Sequence, residues 1–132
     1  MRAYRFDHVH LRCTDPRAMA TFFETMFGAQ VERDVYPPGT LYPGQPRIAM
    51  VVGGQRILTA PRHPTDAMAP APRFPYWGLE HIGFTVDDVD AACAELGAKG
   101  ADVAIGPLTR SPGLRLAFVR GSEGIMIELV QS

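Results

Sequence analysis

An internal repeat constrains the fold of this chain more than any other feature. Two stretches of similar sequence run in the same order, with matches before and after each presumed helix. The matching segments are residues 6–13 with 79–86, 28–31 with 100–103, and 47–53 with 115–121. The offset is 73 for the first pair and 68 for the last, which indicates short insertions or deletions between corresponding elements. The pattern predicts a tandem duplication.

Each copy has the pattern of a strand, a helix and three further strands. Met19, Phe22, Phe23, Met26 and Phe27 form an apolar stripe at helical spacing, and a glycine follows each predicted helix. Alternating apolar residues mark the strands. The predicted strands are residues 5–13, 30–35, 47–53 and 56–60 in the first copy, and 79–87, 102–105, 114–120 and 125–130 in the second. The predicted helices run from Thr14 or Asp15 to Phe27, and from Asp87 or Asp88 to Lys99.

This order predicts an α+β fold built from two tandem βαβββ modules. Module 1 covers about residues 5–60 and module 2 about residues 79–130, and together they are expected to form a single domain over residues 1–132. Their eight strands are expected to form a curved, mostly antiparallel sheet around a metal site. A proline-rich connection, residues 61–78, joins the modules, because proline density opposes helix and sheet alike. It is either a plain connector or a cover for a pocket.

Composition excludes several classes of function. The formal net charge is −1 and the pI is near 6.4, so no long-range attraction to nucleic acid or to an anionic membrane is expected. No apolar run approaches the roughly 20 residues that span a bilayer, and no signal peptide is recognisable at the N-terminus. Cys13 and Cys93 are interpreted as reduced, buried thiols of a cytoplasmic protein.

Strand alternation places a set of metal-binding side chains on one face. Val9, Leu11 and Cys13 are the apolar set, so His8 and His10 point to the opposite face. The repeat puts His81 at the position of His8. Glu128 is a carboxylate between apolar neighbours in the last strand, and a buried carboxylate must be paired, metal-bound or protonated. Two imidazoles and a carboxylate therefore predict one divalent metal ion held by His8, His81 and Glu128.

The same motifs resemble those of the vicinal oxygen chelate superfamily, which includes glyoxalases, bleomycin resistance proteins and extradiol dioxygenases. The resemblance rests on Asp7-His8-Val9, on Met26-Phe27-Gly28-Ala29, on residues 80–88, Glu-His-Ile-Gly-Phe-Thr-Val-Asp-Asp, and on residues 124–129, Gly-Ile-Met-Ile-Glu-Leu. It implies the same three metal ligands, with Fe, Zn, Ni, Mn or Co as the ion, and a homodimer whose ligands come from one chain or from two.

One departure from the resemblance bears on the reaction. Resemblance to glyoxalase I would imply a fourth metal ligand, a second glutamate at the position in module 1 that corresponds to Glu128. The repeat places Leu58 at that position, or Thr59 if the register differs by one residue. Neither side chain is a useful base, so glyoxalase I itself is not expected.

Three functions remain open from the sequence. The first is a glyoxalase-like lyase or isomerase that chelates adjacent oxygens of a small-molecule substrate and stabilises an enolate-type intermediate. The second is an Fe(II) extradiol ring-cleaving dioxygenase, and the third is a metal-free binding protein of the bleomycin resistance type. In either enzyme His10 is the candidate base, although it is also interpretable as a residue that only supports the site.

Overall fold

The computed structural model describes residues 1–131, and its elements follow the predicted order. They are β1 (His8–Arg12), α1 (Pro16–Phe27), β2 (Gln30–Val35), β3 (Pro46–Val52), β4 (Gln55–Ala60), β5 (Ile82–Thr85), α2 (Val89–Ala98), β6 (Asp102–Ser111), β7 (Leu114–Arg120) and β8 (Met126–Gln131). The α+β class and the two tandem βαβββ modules are confirmed. Residues 61–78 lie outside the helices and strands, as the prolines predict, but β5 begins at Ile82 and not at the predicted residue 79.

The chain divides into two compact units, one covering Met1–Ala69 and the other beginning at Pro70. The boundary lies inside the proline-rich connection, so each unit contains one module. In unit 1 the strand order is β1-β4-β3-β2, and in unit 2 it is β5-β8-β7-β6. In both sheets the first strand pairs parallel with the last, while the other pairings are antiparallel. The assignment of both units to a single domain stays a prediction.

Helix α1 begins and ends as its sequence predicts. Asp15 is the N-cap, its Oδ1 accepting the backbone N–H of Ala18 at 3.0 Å, and Pro16 occupies the first turn, where no amide donor is needed. Gly28 ends the helix in the left-handed conformation, at φ 65°. The inner face of α1 packs on β3. Its buried residues are Pro16, Met19, Ala20 and Phe23, and on the sheet side the core includes Ile48, Met50, Val52 and Ile57.

Helix α2 repeats this plan in unit 2. Asp88 caps it by accepting the N–H of Ala91 at 3.0 Å, and Val89, Cys93 and Leu96 are buried. A bidentate ion pair fixes its first turn to the sheet, because both carboxylate oxygens of Asp90 accept hydrogen bonds from Arg115, at 2.6 and 2.7 Å. These bonds hold the pKa of Asp90 below its usual range.

The structure corrects the predicted end of the sixth strand. Strand β6 continues to Ser111, beyond the predicted end at residue 105, because register shifts let it stay paired with β7 past Gly106. Gly106 has φ 78°, and a Cβ there would lie 2.8 Å from the carbonyl oxygen of Leu116, so only glycine fits. A glycine followed by proline marks a strand end by sequence rules, but here it marks a bulge.

No helix among residues 1–131 combines the length and the apolar character needed to cross a membrane.

Replacing Phe23 with alanine should destabilise unit 1 strongly. The side chain is fully buried, so its loss removes apolar burial and leaves a cavity that costs about 3–5 kcal/mol. Arg17→Ala, an exposed position on the same helix, is the control and should change stability by less than about 0.5 kcal/mol. Urea unfolding followed by circular dichroism measures both. Equal midpoints for the two variants would contradict this packing of α1.

Candidate metal centre

The parallel pairing of β5 with β8 brings His81 and Glu128 into contact. Gly83 is the register partner of Glu128, and His81 lies two residues before Gly83 on the same side of the strand. The Nε2 atom of His81 is 3.1 Å from Oε2 of Glu128. Both side chains keep some contact with solvent, at 30% and 20% exposure respectively. An imidazole nitrogen and a carboxylate oxygen therefore lie side by side and reachable from outside.

Two further contacts hold the imidazole of His81, and a third holds the residue before it. Its Nδ1 lies 2.8 Å from Oε1 of Glu80. The ring packs edge-on against Phe118, with the ring centroids 5.0 Å apart. The hydroxyl of Tyr76 donates to the backbone carbonyl of Glu80 at 3.0 Å, which holds the residue before the histidine in place. The ring orientation is thus defined within unit 2 alone.

His8 has the same local arrangement in unit 1. Its Nδ1 lies 2.6 Å from Oδ2 of Asp7, and Arg56 approaches that carboxylate at 3.5 Å. The hydrogen bond to His8, followed by the charge of Arg56, lowers the pKa of Asp7. Over the described chain, Nε2 of His8 makes no hydrogen bond, so this nitrogen is accessible to a ligand.

The residues present fit a divalent metal by donor chemistry. His81 Nε2 and Glu128 Oε2 are two adjacent donors of the kinds that bind Zn, Fe, Mn, Ni and Co. His8 offers a third donor of the same kind as His81. Within either unit by itself, no group of three or more His, Cys, Asp or Glu side chains among residues 1–131 is arranged to hold a metal ion. The structure brings together two of the predicted ligands, and the complete set of three stays a prediction.

His10 lies on the same face of β1 as His8, as strand alternation predicts. The centroids of the two rings are 6.2 Å apart. In the part of the chain that the structure describes, the His10 ring has no hydrogen-bond partner. Partial burial, followed by the positive charges of Arg12 and His8, lowers the pKa of His10.

His10 lines a cleft of about 500 Å³ on the open face of the unit 1 sheet. The register His10–Leu58–Ala49 runs across β1, β4 and β3, so Leu58 and Ala49 form an apolar floor beside the imidazole. Charged and aromatic residues surround this floor: Glu32, Arg33, Asp34, Tyr36, Arg47 and Arg56. The cleft therefore combines a small apolar surface with groups of both charges.

The register also shows which residue of module 1, Leu58 or Thr59, corresponds to Glu128. Leu58 pairs with His10 in the first sheet as Glu128 pairs with Gly83 in the second, so Leu58 is the structural equivalent of Glu128. Thr59 faces the helix side, is buried, and donates its hydroxyl to the carbonyl of Ile48 at 2.9 Å. Leu58 therefore occupies the position at which glyoxalase I would have a second glutamate.

The same register corrects the offset assigned to the third repeat segment. Met50 pairs with Val31, and Val119 pairs with Val103, so Met50 corresponds to Val119 at an offset of 69. The predicted offset of 68, which equated Met50 with Phe118, is wrong by one residue. Phe118 instead lies on the open face, where it contacts His81.

Sequence reasoning missed the two carboxylates that contact the histidines. Asp7 and Glu80 were visible only as part of a family motif, although an acidic residue precedes the histidine in both copies of the repeat. That recurrence was the available signal. The contact with Phe118 had no such signal, because it depends on the register of β7 against β8.

Known proteins of similar sequence support the same architecture. A sequence profile of the Glyoxalase/Bleomycin resistance protein/Dioxygenase superfamily matches residues 5–129. The chain is 26% identical over 128 residues to the protein YaeR of Escherichia coli (strain K12), a match that covers 94% of this chain and 93% of YaeR.

Solved structures share the fold at lower sequence identity. A glyoxalase family protein from Enterococcus faecalis matches with a TM-score of 0.73 at 19% identity, covering 96% of this chain and 97% of that one. TnmS3, an antibiotic binding protein from Streptomyces sp. CB03234, matches with a TM-score of 0.68 at 22% identity, covering 99% and 98%. Since the profile match extends over almost the whole sequence, the chain belongs to the glyoxalase/bleomycin resistance protein/dioxygenase superfamily.

Proposed function

We propose that this protein is a divalent-metal-dependent lyase or isomerase of the glyoxalase-like kind. In this proposal His8, His81 and Glu128 hold one Fe, Zn, Ni, Mn or Co ion, and a small-molecule substrate binds through two adjacent oxygen atoms. The observation that carries the proposal is the contact between His81 Nε2 and Glu128 Oε2 at 3.1 Å. Two donors of different chemistry, one directly before β5 and one in β8, meet at a solvent-accessible point.

The metal would supply Lewis acidity, which stabilises negative charge as it develops on a substrate oxygen. The chain supplies the proton transfer. His10 projects from the same face as His8, and its ring nitrogens are not engaged by other side chains of residues 1–131, so the imidazole can accept a proton from a bound substrate. Leu58, the register partner of His10, limits the access of water to the imidazole and cannot itself accept a proton from the substrate.

The cleft beside His10 supports a compact substrate. Its volume of about 500 Å³ lies in the range typical of small-molecule sites. We further propose that the protein acts as a homodimer in the cytoplasm, with its metal ligands drawn from one chain or from two. Two buried thiols, Cys13 and Cys93, are compatible with a reducing compartment.

Protein purified without chelators should contain about one equivalent of divalent metal per chain. His81→Ala should lose this metal, because it removes one donor and leaves the Glu128 carboxylate without its neighbour. His63→Ala is the matched control, since His63 lies in the connection, outside the proposed site, and should leave the metal content unchanged. Elemental analysis of all three proteins gives the stoichiometry. Metal content near zero in the wild type, not restored by Fe, Zn, Mn, Ni or Co, would refute the metal enzyme.

Two inactive variants together distinguish ligands from one chain and from two. Co-expressed His8→Ala and His81→Ala chains rebuild one intact site per mixed dimer if the ligands come from both chains. They rebuild none if all three ligands come from one chain. Metal content of the isolated mixed dimer decides between the two arrangements.

His10→Gln should slow proton transfer while metal content stays at the wild-type level. Loss of a general base lowers the rate by about 10²–10⁴-fold. Exchange of the protons next to the carbonyl of hydroxyacetone, an α-hydroxyketone with adjacent oxygens, is measured by proton NMR in D₂O. The control is His63→Gln, which should exchange at the wild-type rate. Equal rates for His10→Gln and the wild type would remove His10 from the reaction.

An Fe(II) extradiol dioxygenase is the second candidate, and the ligand set supports it. Two histidines and one carboxylate leave coordination positions for a catechol and for oxygen. Aerobic incubation of the Fe(II)-loaded protein with several catechols tests it, because ring cleavage gives yellow products. Fe-loaded protein that turns over none of these catechols would argue against this candidate.

A metal-free binding protein is the third candidate, and one observation favours it. His81 Nε2 and Glu128 Oε2 contact each other at 3.1 Å, so each of these atoms has a partner without a metal. TnmS3, which shares this fold, is an antibiotic binding protein. Binding of a small molecule that persists in a chelator, together with no uptake of added metal, would favour this candidate over both enzymes.

A further inference from the structure

An acidic side chain contacts the inner ring nitrogen of each proposed histidine ligand. Glu80 Oε1 lies 2.8 Å from Nδ1 of His81, and Asp7 Oδ2 lies 2.6 Å from Nδ1 of His8. In both cases the acidic residue directly precedes the histidine, at corresponding positions of the two modules. The same contact therefore occurs independently in two separate units of the chain.

We propose that Glu80 and Asp7 are positioning residues that prepare His81 and His8 for a metal ion. This inference rests on the proposed metal site. A neutral imidazole carries one proton, and a carboxylate at Nδ1 holds that proton there. Metal binding displaces the proton between Nε2 and Glu128, and the lone pair of Nε2 is then free for the ion while the Nδ1 proton stays hydrogen-bonded to Glu80. Carboxylates in this position also orient the ring and increase the basicity of the ligand nitrogen.

The two carboxylates differ in how firmly they are held. The side chain of Glu80 is 25% exposed, and Tyr76 fixes its backbone carbonyl. The side chain of Asp7 is 71% exposed and shares its charge with Arg56. An exposed carboxylate is weakened by solvent and by a competing cation, so the contribution of Glu80 to metal binding is the larger of the two.

A purely structural role predicts a different response to substitution. If Glu80 served only to anchor the loop before β5, its loss would lower stability and leave the coordination of a bound metal unaltered. If it fixes the proton on Nδ1, its loss changes the affinity for metal and the tautomer of His81. Glu80→Gln separates the two roles further, because the amide oxygen still accepts the Nδ1 proton.

Titration of chelator-treated protein with Co(II) tests the proposal, since Co(II) absorption bands report the ligands around the ion. Glu80→Ala should weaken Co(II) binding by about 10- to 100-fold. Glu80→Gln should recover most of this loss, and Asp7→Ala should have a smaller effect than Glu80→Ala. Glu95→Ala is the control, because this exposed glutamate on α2 pairs only with Lys99 among the described residues and should bind like the wild type.

Long-range proton–nitrogen correlation spectra of the Zn(II)-loaded proteins provide the second readout. In the wild type His81 should show a protonated Nδ1 and a metal-bound Nε2, and Glu80→Ala should show a mixture of forms. Urea unfolding of each variant confirms that the module is folded before its affinity is compared. Glu80→Gln supplies the test if Glu80→Ala does not fold.

Three results would overturn the proposal, and they are distinguishable. Co(II) binding that His81→Ala abolishes and Glu80→Ala leaves within twofold of the wild type would refute the positioning role and leave the metal site standing. Glu80→Gln binding as weakly as Glu80→Ala would refute a role through the accepted proton. A wild-type protein that binds neither Co(II) nor Zn(II) would refute the metal site and this inference together.

Discussion

The parallel pairing of the first strand with the last strand in each module determines which side chains face each other at the centre of each candidate site. In module 2 this pairing sets Gly83 opposite Glu128, and so brings the carboxylate to His81 across a sequence separation of nearly fifty residues. A shift of one residue would turn Glu128 toward the helix, into the layer occupied by Ile127 and Leu129, which are almost completely buried. A carboxylate there would have neither water nor a partner, which is why the apolar neighbours fix this register so firmly.

The two modules have kept the fold and diverged in their chemistry. The histidine at the start of β1 and its equivalent before β5 are retained, whereas His10 corresponds to Gly83, and Leu58 to Glu128. One module therefore carries the candidate base next to an apolar residue, and the other carries the carboxylate next to a residue without a side chain. A Cβ at Gly83 would lie 3.8 Å from Oε2 of Glu128, in ordinary van der Waals contact with that oxygen. Divergence of this kind places the candidate base and the candidate carboxylate ligand in different modules.

Sequence reasoning predicted those features that depend on local patterns. The caps at Asp15 and Asp88 and the alternation of β1 all follow from short-range rules, and they are confirmed. What sequence could not give was cross-strand register, because this depends on bulges and loop lengths. That limit explains the error at Met50, the extension of β6 past Gly106, and the missed contact between Phe118 and His81. It also explains the outcome for His81 and Glu128. The repeat and an isolated carboxylate predicted that both residues belong to one site, but they did not predict the direct contact between them.

The His81–Glu128 pair also shows how one scaffold can serve enzymes and binding proteins. Without a metal, the imidazole has carboxylates at both ring nitrogens and Phe118 against its ring, so both nitrogens of His81 have partners. Such a pair can be retained at little cost even where no metal is used. With a metal, the same geometry presents Nε2 and Oε2 to the ion while the contact at Nδ1 persists. The presence of these residues is therefore compatible with both kinds of function, and the contact at Nδ1 is the part of the arrangement that our proposal assigns to metal binding and that a contact between His81 and Glu128 alone does not require.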